Sequence, residues 1–369
     1  MPAKPMPWLW RLSMLKPGST IGILGGGQLG AMLASAACEM GFKTHIYAPD
    51  NNSPAFQRTN LITVAPYEDL DALSRFAASV DVVSYEFENV PIAPLQHIQH
   101  TVPIRPGIKA LETAQDRLVE KDFLKSCGAR LASYAEVNSL EDLQVATQEI
   151  GYPCVLKTRR FGYDGKGQIV LREGDDLSQA WSGLKGAPCV LEAFVDFFAE
   201  TSLIAARAVD GTIAAFEMAL NTHKNHILHT TQLPCGLPED VLSEADKISQ
   251  EILTRLDYIG VMGIEFFVAK ENDTHVLYVN EIAPRVHNSG HWTQDGCLVD
   301  QFEQHIRAIA GWPLGAPVRH SNIEMINLIG DDIDQVSGYL DDPRCKVHLY
   351  GKAEARLGRK MGHVNHLLA

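Results

Sequence analysis

Short apolar runs alternate with longer stretches of helical spacing over the first third of the chain. Runs at 20–24, 44–47 and 80–84 read as strands, and a helix is predicted to begin near Gln28. Strands buried on both faces are near-continuous apolar runs, so this alternation predicts a parallel α/β domain up to about residue 110. Segment 116–127 is predicted helical, with Gly128 as its stop. The pattern then changes. Strand-like runs at 154–158, 168–171, 189–195, 201–208 and 213–218 crowd together around one helical stretch near 176–184. A helix over 238–256 leads into two more strands, 261–269 and 275–282, so this region is α+β. The expected layout is an extension over 1–13, an α/β domain over 14–113, a smaller subdomain over 114–193 and a larger one over 194–369. The larger part closes in a small β-rich segment. Its last strand is expected at 347–350, ahead of a basic tail with Lys352, Arg356, Arg359 and Lys360.

Composition narrows the function classes. With 46% hydrophobic and 21% charged residues among 369, the chain is an ordinary globular protein. A formal charge of −13 argues against broad binding to nucleic acid or anionic membranes, while leaving room for a local basic pocket. No apolar run approaches the roughly 18 residues of a membrane span. Seven cysteines without a CxxC pair fit reduced thiols in a cytoplasmic protein. Residues 1–13 lack the apolar core of a secretory signal and read as a disordered extension.

Candidate chemistry starts at Gly25-Gly-Gly-Gln28-Leu29-Gly30, a G-x-G-x-x-G turn between a strand and a helix, with Asp50 twenty residues beyond. This admits a dinucleotide site of a nicotinamide-dependent oxidoreductase, a tight packing turn, or a helix N-terminus that receives some other phosphate. A second glycine-rich loop, Gly162-Tyr163-Asp164-Gly165-Lys166-Gly167-Gln168, follows the strand that carries Lys157. Its backbone amides suit phosphate oxygens and Lys157 adds a point charge; the bland alternative is a hairpin turn. Glu192-Ala193-Phe194-Val195 ends an apolar strand, with Glu200 shortly after. Such a slot suits a purine and a carboxylate suits ribose hydroxyls, although a Glu is ordinarily a solvated surface acid.

Glu265 and Glu281 lie on consecutive strands and permit a geometric expectation. A hairpin loop centred on Asp273 sets 265 opposite 281. A two-residue Asn272-Asp273 turn sets it opposite Asn280 and sends Glu281 to the other face. An odd-length loop or a bulge is therefore expected. Two facing carboxylates repel unless a cation lies between them or one is protonated, and an all-oxygen set beside a phosphate suits Mg²⁺ or Mn²⁺. Arg285, His287, Asn288, Ser289 and His291 follow within seven positions, a density that favours an anion site. No G-x-S-x-G, H-E-x-x-H or cysteine with a placed base occurs, so chemistry on polarised phosphates is favoured over a covalent intermediate.

The set formed by residues 25–30, Tyr85-Glu86-Phe87-Glu88-Asn89-Val90-Pro91, Gln115-Asp116-Arg117, 156–160, 162–168, 280–292 and 350–354 resembles the 5-(carboxyamino)imidazole ribonucleotide synthase family, ATP-grasp enzymes of purine synthesis. The resemblance spans roughly residues 14 to 369. It implies an ATP-grasp fold behind a parallel α/β pre-ATP-grasp domain, and ATP- and bicarbonate-dependent carboxylation of 5-aminoimidazole ribonucleotide through carboxyphosphate. It implies further that Arg117, Lys157 and the 162–168 loop bind the ATP phosphates, 192–195 the adenine and Glu200 the ribose. His223 and Asn280 also contact nucleotide, and Glu265 and Glu281 ligate Mg²⁺. Gln28, Leu29, Glu86, Lys352, Arg359 and Lys360 are implied for the ribonucleotide, and Asp164, Arg285 and His287 for bicarbonate and the reacting amine. A cytoplasmic homodimer completes the expectation. Ala31 and Leu357 depart from the family pattern, where arginine and proline are frequent. The competing readings are an ATP-grasp ligase using formate or a different amine, and the oxidoreductase.

Overall fold

A computed structural model describes residues 14–162 and 165–368; the extension over 1–13, Tyr163 and Asp164 lie outside the described residues. Strands β1 (Thr20–Leu24), β2 (Lys43–Ala48), β3 (Leu61–Val64) and β4 (Val82–Tyr85) form a parallel sheet in the order β3-β2-β1-β4. The apolar runs of β1, β2 and β4 are buried as expected. Strand β3 carries an apolar run too, Leu61 to Val64, but it is the edge strand and most of its side chains face solvent.

The helix Arg117–Ser126, capped by the Asp116 side chain on the Leu118 amide, leads into a small antiparallel sheet. This comprises β5 (Tyr134–Val137), β6 (Cys154–Thr158), β7 (Gln168–Leu171) and β8 (Cys189–Ala193), in the order β5-β8-β6-β7. A larger sheet holds β9 (Phe197–Arg207), β10 (Ile213–Ala215), β11 (Ala219–Lys224), β12 (Ile227–Leu233), β13 (Gly260–Glu271), β14 (Thr274–Ala283), β15 (Ile323–Ile329), β16 (Cys345–Leu349) and β17 (Lys360–Leu367). Its order is β14-β13-β9-β11-β12-β15-β17-β16, with β10 paired to β9.

The cores divide unevenly. Leu143, Leu156, Leu171 and Leu191 close a separate core around the small sheet. Ile21, Leu33 and Ile46 of the first domain instead share one core with Trp292, Phe302, Ile306 and Met325 of the larger part. Helix Gln301–Ala310 is the joint: the carbonyl of Ile309 accepts from the Arg105 guanidinium at 2.6 Å, and that of Ala310 from the Leu15 amide at 2.8 Å. The small sheet is thus the body with the fewest apolar ties to the rest.

The C-terminal expectation needs correcting. The basic tail is not the end of ordered structure: Lys360 opens β17, which inserts between β15 and β16. Along Lys-Met-Gly-His-Val-Asn-His-Leu no apolar period is visible, because His363 and Asn365 are themselves fully buried. His363 accepts or donates at the Tyr350 hydroxyl, and the Asn365 amide donates to the His291 carbonyl and the Asp295 carboxylate.

Candidate functional site

The β13–β14 hairpin resolves the register question. Asn272 and Asp273 form a two-residue turn, both with positive φ, that pairs Glu271 with Thr274. That register runs as far as Phe266 opposite Val279, then shifts, and Glu265 stands opposite Glu281. Of the two expected solutions, the chain uses the bulge, with Asn280 as the extra residue.

Of the two carboxylates only Glu281 is paired with a guanidinium. Burial, and then Glu281, push the Glu265 carboxyl up to about 7. His287 Nε2 lies 3.4 Å from Glu265, but burial and the neighbouring Arg285 hold that imidazole well below its usual range, so it is neutral there. Glu281 has one cationic partner, Arg117, at 3.1 Å. Two facing carboxylates served by one guanidinium and a neutral imidazole fit a hard divalent cation.

Helix Arg117–Ser126 brings more to this place than Arg117. Lys121 is buried and reaches Glu192 at 3.0 Å, and Lys157 reaches the same oxygen at 2.9 Å. Burial pushes the Glu192 carboxyl up, but the two ammonium groups outweigh it and hold it at about 2. Its other oxygen, Oε1, is buried without a partner. Glu120 is buried on the same helix, accepts from the Ile282 amide at 2.7 Å, and is pushed up to about 8 by burial and by Glu281. Arg117, Glu120 and Lys121 were missed as a group. Their signal is three charges at i, i+3 and i+4, one helix face, where a solvated face is the ordinary expectation.

The first glycine motif serves a carboxylate. The amides of Gly27 and Gly30 donate to the two oxygens of Glu86, the latter at 2.6 Å. Gly25, at φ +113°, has no room for a side chain: a Cβ there would lie 2.3 Å from Glu86 Cγ. The helix N-terminus that a dinucleotide pyrophosphate would need is already filled, and this removes the physical basis of the oxidoreductase reading. Asp50 turns instead to the amide of Asn52. Glu88, from the same segment as Glu86, pairs with Arg285 and is held at about 2, the guanidinium overcoming burial.

Most of these groups line one cavity of about 1020 Å³, to which both the small and the large sheet contribute. Gln28, Leu29, Glu86, Arg117, Lys157, Gly162, Gly165, Lys166, Gln168, 192–195, Glu200, His223, Glu265, Asn280, Glu281, Arg285, His287 and Lys360 all face it. Most of the described residues of the glycine-rich loop form part of its wall. Gly165, at φ +75°, abuts the His226 side chain so closely that a Cβ would come within 2.5 Å, so the small sheet touches the β11–β12 turn there. Val155, Val170, Phe197, Phe267 and Val279 give the cavity an apolar slot, with Phe197 and Phe267 stacked at 4.4 Å. His223 Nδ1 and the Glu200 carboxylate, both in the lining, lie 2.5 Å apart. Gly167, Lys352 and Arg359 are not in the lining. Arg359 donates to the Glu354 carbonyl, and Lys352 to the carbonyl of Lys360 at 2.6 Å. Burial, Arg359 and Lys360 bring the Lys352 ammonium down to about 8. Tyr163 and Asp164 lie outside the described residues.

Comparison with known proteins accounts for nearly the whole chain. Residues 18–115 match the ribonucleotide synthetase preATP-grasp domain, 122–302 the ATP-grasp domain, and 324–369 the phosphoribosylaminoimidazole carboxylase C-terminal domain. The N5-carboxyaminoimidazole ribonucleotide synthase of Brucella melitensis is 48% identical over 355 residues, 96% of this chain and 97% of that protein. The protein of that name from Bacillus subtilis is 39% identical over 355 residues, 95% of this chain and 92% of that one. Among solved structures, an N5-carboxyaminoimidazole ribonucleotide synthetase in complex with ADP has a TM-score of 0.92 at 42% identity, covering 96% of this chain and 94% of that one. An Aspergillus clavatus N5-carboxyaminoimidazole synthase, solved with ADP and 5-aminoimidazole ribonucleotide, gives 0.88 at 28% identity, covering 95% and 94%. The chain belongs to the N5-carboxyaminoimidazole ribonucleotide synthase family of ATP-grasp enzymes.

Proposed function

We infer that the protein is an ATP-dependent carbon–nitrogen ligase that carboxylates the amine of 5-aminoimidazole ribonucleotide with bicarbonate, a step of purine synthesis. The observation that carries the site reading is Glu265 facing Glu281 in the cavity that also holds Lys157, Arg117 and the glycine-rich loop. Lys157, Arg117 and the loop amides are the groups for the triphosphate, the apolar slot takes the adenine, and Glu200 takes the ribose hydroxyls. Glu265 and Glu281 would hold Mg²⁺, which when bound neutralises charge on the phosphate oxygens.

In the first step a bicarbonate oxygen bonds to the γ-phosphorus as the bond to ADP breaks. In the second, the amine nitrogen bonds to the carboxyl carbon, the carbon–oxygen bond to phosphate breaks, and the amine releases a proton. Arg285, fixed by Glu88, is the cation for the bicarbonate and its phosphorylated form; His287 Nδ1 accepts from the Ser289 amide and lies 2.8 Å from the Ser289 hydroxyl, which leaves the proton of the neutral ring on Nε2 as a donor toward Glu265 or a bicarbonate oxygen. Gln28, Leu29 and Glu86 are assigned to the aminoimidazole, and Lys352, Arg359 and Lys360 to the ribose phosphate. The free thiols of all seven cysteines support a reducing, cytoplasmic setting. No helix of the described residues is long and apolar enough to cross a membrane. For the homodimer, light scattering should read twice the monomer mass.

The test is phosphate release by the purified protein with ATP and Mg²⁺, adding bicarbonate, formate and 5-aminoimidazole ribonucleotide singly and in pairs. Stimulation by the ribonucleotide with bicarbonate is expected; stimulation only with formate, or none, refutes the reading. For Lys352→Ala the KM for ribonucleotide should rise about 10- to 100-fold with that for ATP unchanged, as one charge-assisted contact is lost. In the unmodified protein the same KM should climb above pH ~8, because the Lys352 ammonium is charged below that value and neutral above it. A KM flat from pH 7 to 9.5 would count against Lys352.

A further inference from the structure

We propose that Glu120 is a positioning residue, which accepts the outward-facing amide of Ile282 and so keeps the bulge at Asn280 and holds Glu281 opposite Glu265. The proposal rests on the reading of those two carboxylates as cation ligands. Strand β14 is the edge of the large sheet, so its outer side has no strand to pair with. Along an extended strand successive N–H groups point to alternate sides. Val279 and Ile282 are three residues apart and in a regular strand would face opposite ways.

Both face outward. The Val279 amide donates to the Arg130 carbonyl at 2.9 Å, and the Ile282 amide to Glu120 Oε1 at 2.7 Å. That parity requires one extra residue between them, so the two bonds clasp the bulge from either side. Without the clasp, the register set by the Asn272–Asp273 turn continues unbroken, Asn280 comes opposite Glu265, and Glu281 turns to the other face. The helix that carries Glu120 also carries Arg117, whose guanidinium holds the Glu281 side chain at 3.1 Å. One helix therefore grips both the backbone after Glu281 and its carboxylate. Glu281, Arg117 and Lys121 are the charged groups around Glu120, and the bond to Ile282 asks of it only an acceptor oxygen.

The experiment compares Glu120→Gln, which keeps an acceptor oxygen, with Glu120→Ala and Glu120→Leu, which have none. Three quantities are read: Mn²⁺ binding by electron paramagnetic resonance with ADP present, ADP binding in EDTA, and hydrogen–deuterium exchange over residues 277–284. In E120A the Mn²⁺ dissociation constant should rise about 10- to 100-fold and the Ile282 amide should exchange at least about tenfold faster, the scale of one lost buried hydrogen bond. Metal-free ADP binding should stay within about threefold, since Lys157 and the apolar slot do not depend on the bulge, and E120Q should match the unmodified protein in all three values. Wild-type Mn²⁺ affinity and exchange in E120A, or an E120Q as impaired as E120A, overturns the proposal. Should neither E120A nor E120L fold, E120Q decides it, because a loss above about tenfold in a folded E120Q contradicts a role that needs only an acceptor. If the unmodified protein binds no Mn²⁺, the cation reading fails, and the exchange of the Ile282 amide still decides the role of Glu120.

Discussion

Replacing Glu281 with Gln should lower kcat about 10³-fold, the equivalent of roughly 4 kcal/mol of transition-state stabilisation, with the fold intact. The side chain keeps its volume and still offers Arg117 an acceptor, so packing is undisturbed. What goes is half of a carboxylate pair that stands opposite across the bulge. Glu265 and Glu120 each lose a repulsive neighbour, so their carboxyls should ionise more readily and the thermal midpoint should hold or rise. Single-turnover kinetics with ATP, bicarbonate and ribonucleotide, alongside a melting curve, separate the two effects. Turnover at the unmodified rate would remove Glu281 from the cation site. A fallen midpoint would mean that its bond to Arg117 matters more for folding than its repulsion costs.

The same residue shows how far the sequence alone could go. The alternation of apolar runs was enough for β1, β2 and β4, because strands covered on both faces leave no choice but apolar side chains. It was not enough for β17, whose buried positions include His363 and Asn365. Parity carried the hairpin: a two-residue turn and a facing carboxylate pair are incompatible without an extra residue, and a bulge is what the chain has. The side-chain partners were beyond reach. That Glu86 fills the helix N-terminus at Gly27 and Gly30 depends on β4 lying beside β1, a long-range fact that no local spacing carries. Glu88 finds Arg285 across 197 positions of chain, and Ile282 finds Glu120 across 162. Charges on a helix read as solvated until something opposite them is known, which is why Lys121 and Glu120 went unnoticed beside Arg117.

Glu192→Ala should be the most destabilising single change at the site, by about 3–5 kcal/mol, because it strands two buried ammonium groups. Lys121 and Lys157 both lie on one oxygen of this carboxylate, at 3.0 and 2.9 Å, and Lys121 is buried to 2% exposure. Removing Lys121 instead, as Lys121→Met, leaves Glu192 with Lys157 and an apolar side chain in the vacated space, so its cost should be markedly smaller. The asymmetry separates a charge-balance role from simple packing, since truncating either side chain loses packing. The pH dependence has a defined sign. Burial pushes Glu192 up and the lysines hold it at about 2, below its ordinary 4.5. Its contribution is therefore complete above pH ~4.5 and is lost as pH falls toward 2. Urea denaturation of both variants between pH 3 and 7 should show the Glu192→Ala protein less stable throughout, with a shallower acid decline than the unmodified chain. Equal costs for the two substitutions, or an unchanged acid slope, would show that the carboxylate is not the counter-ion of Lys121 and Lys157.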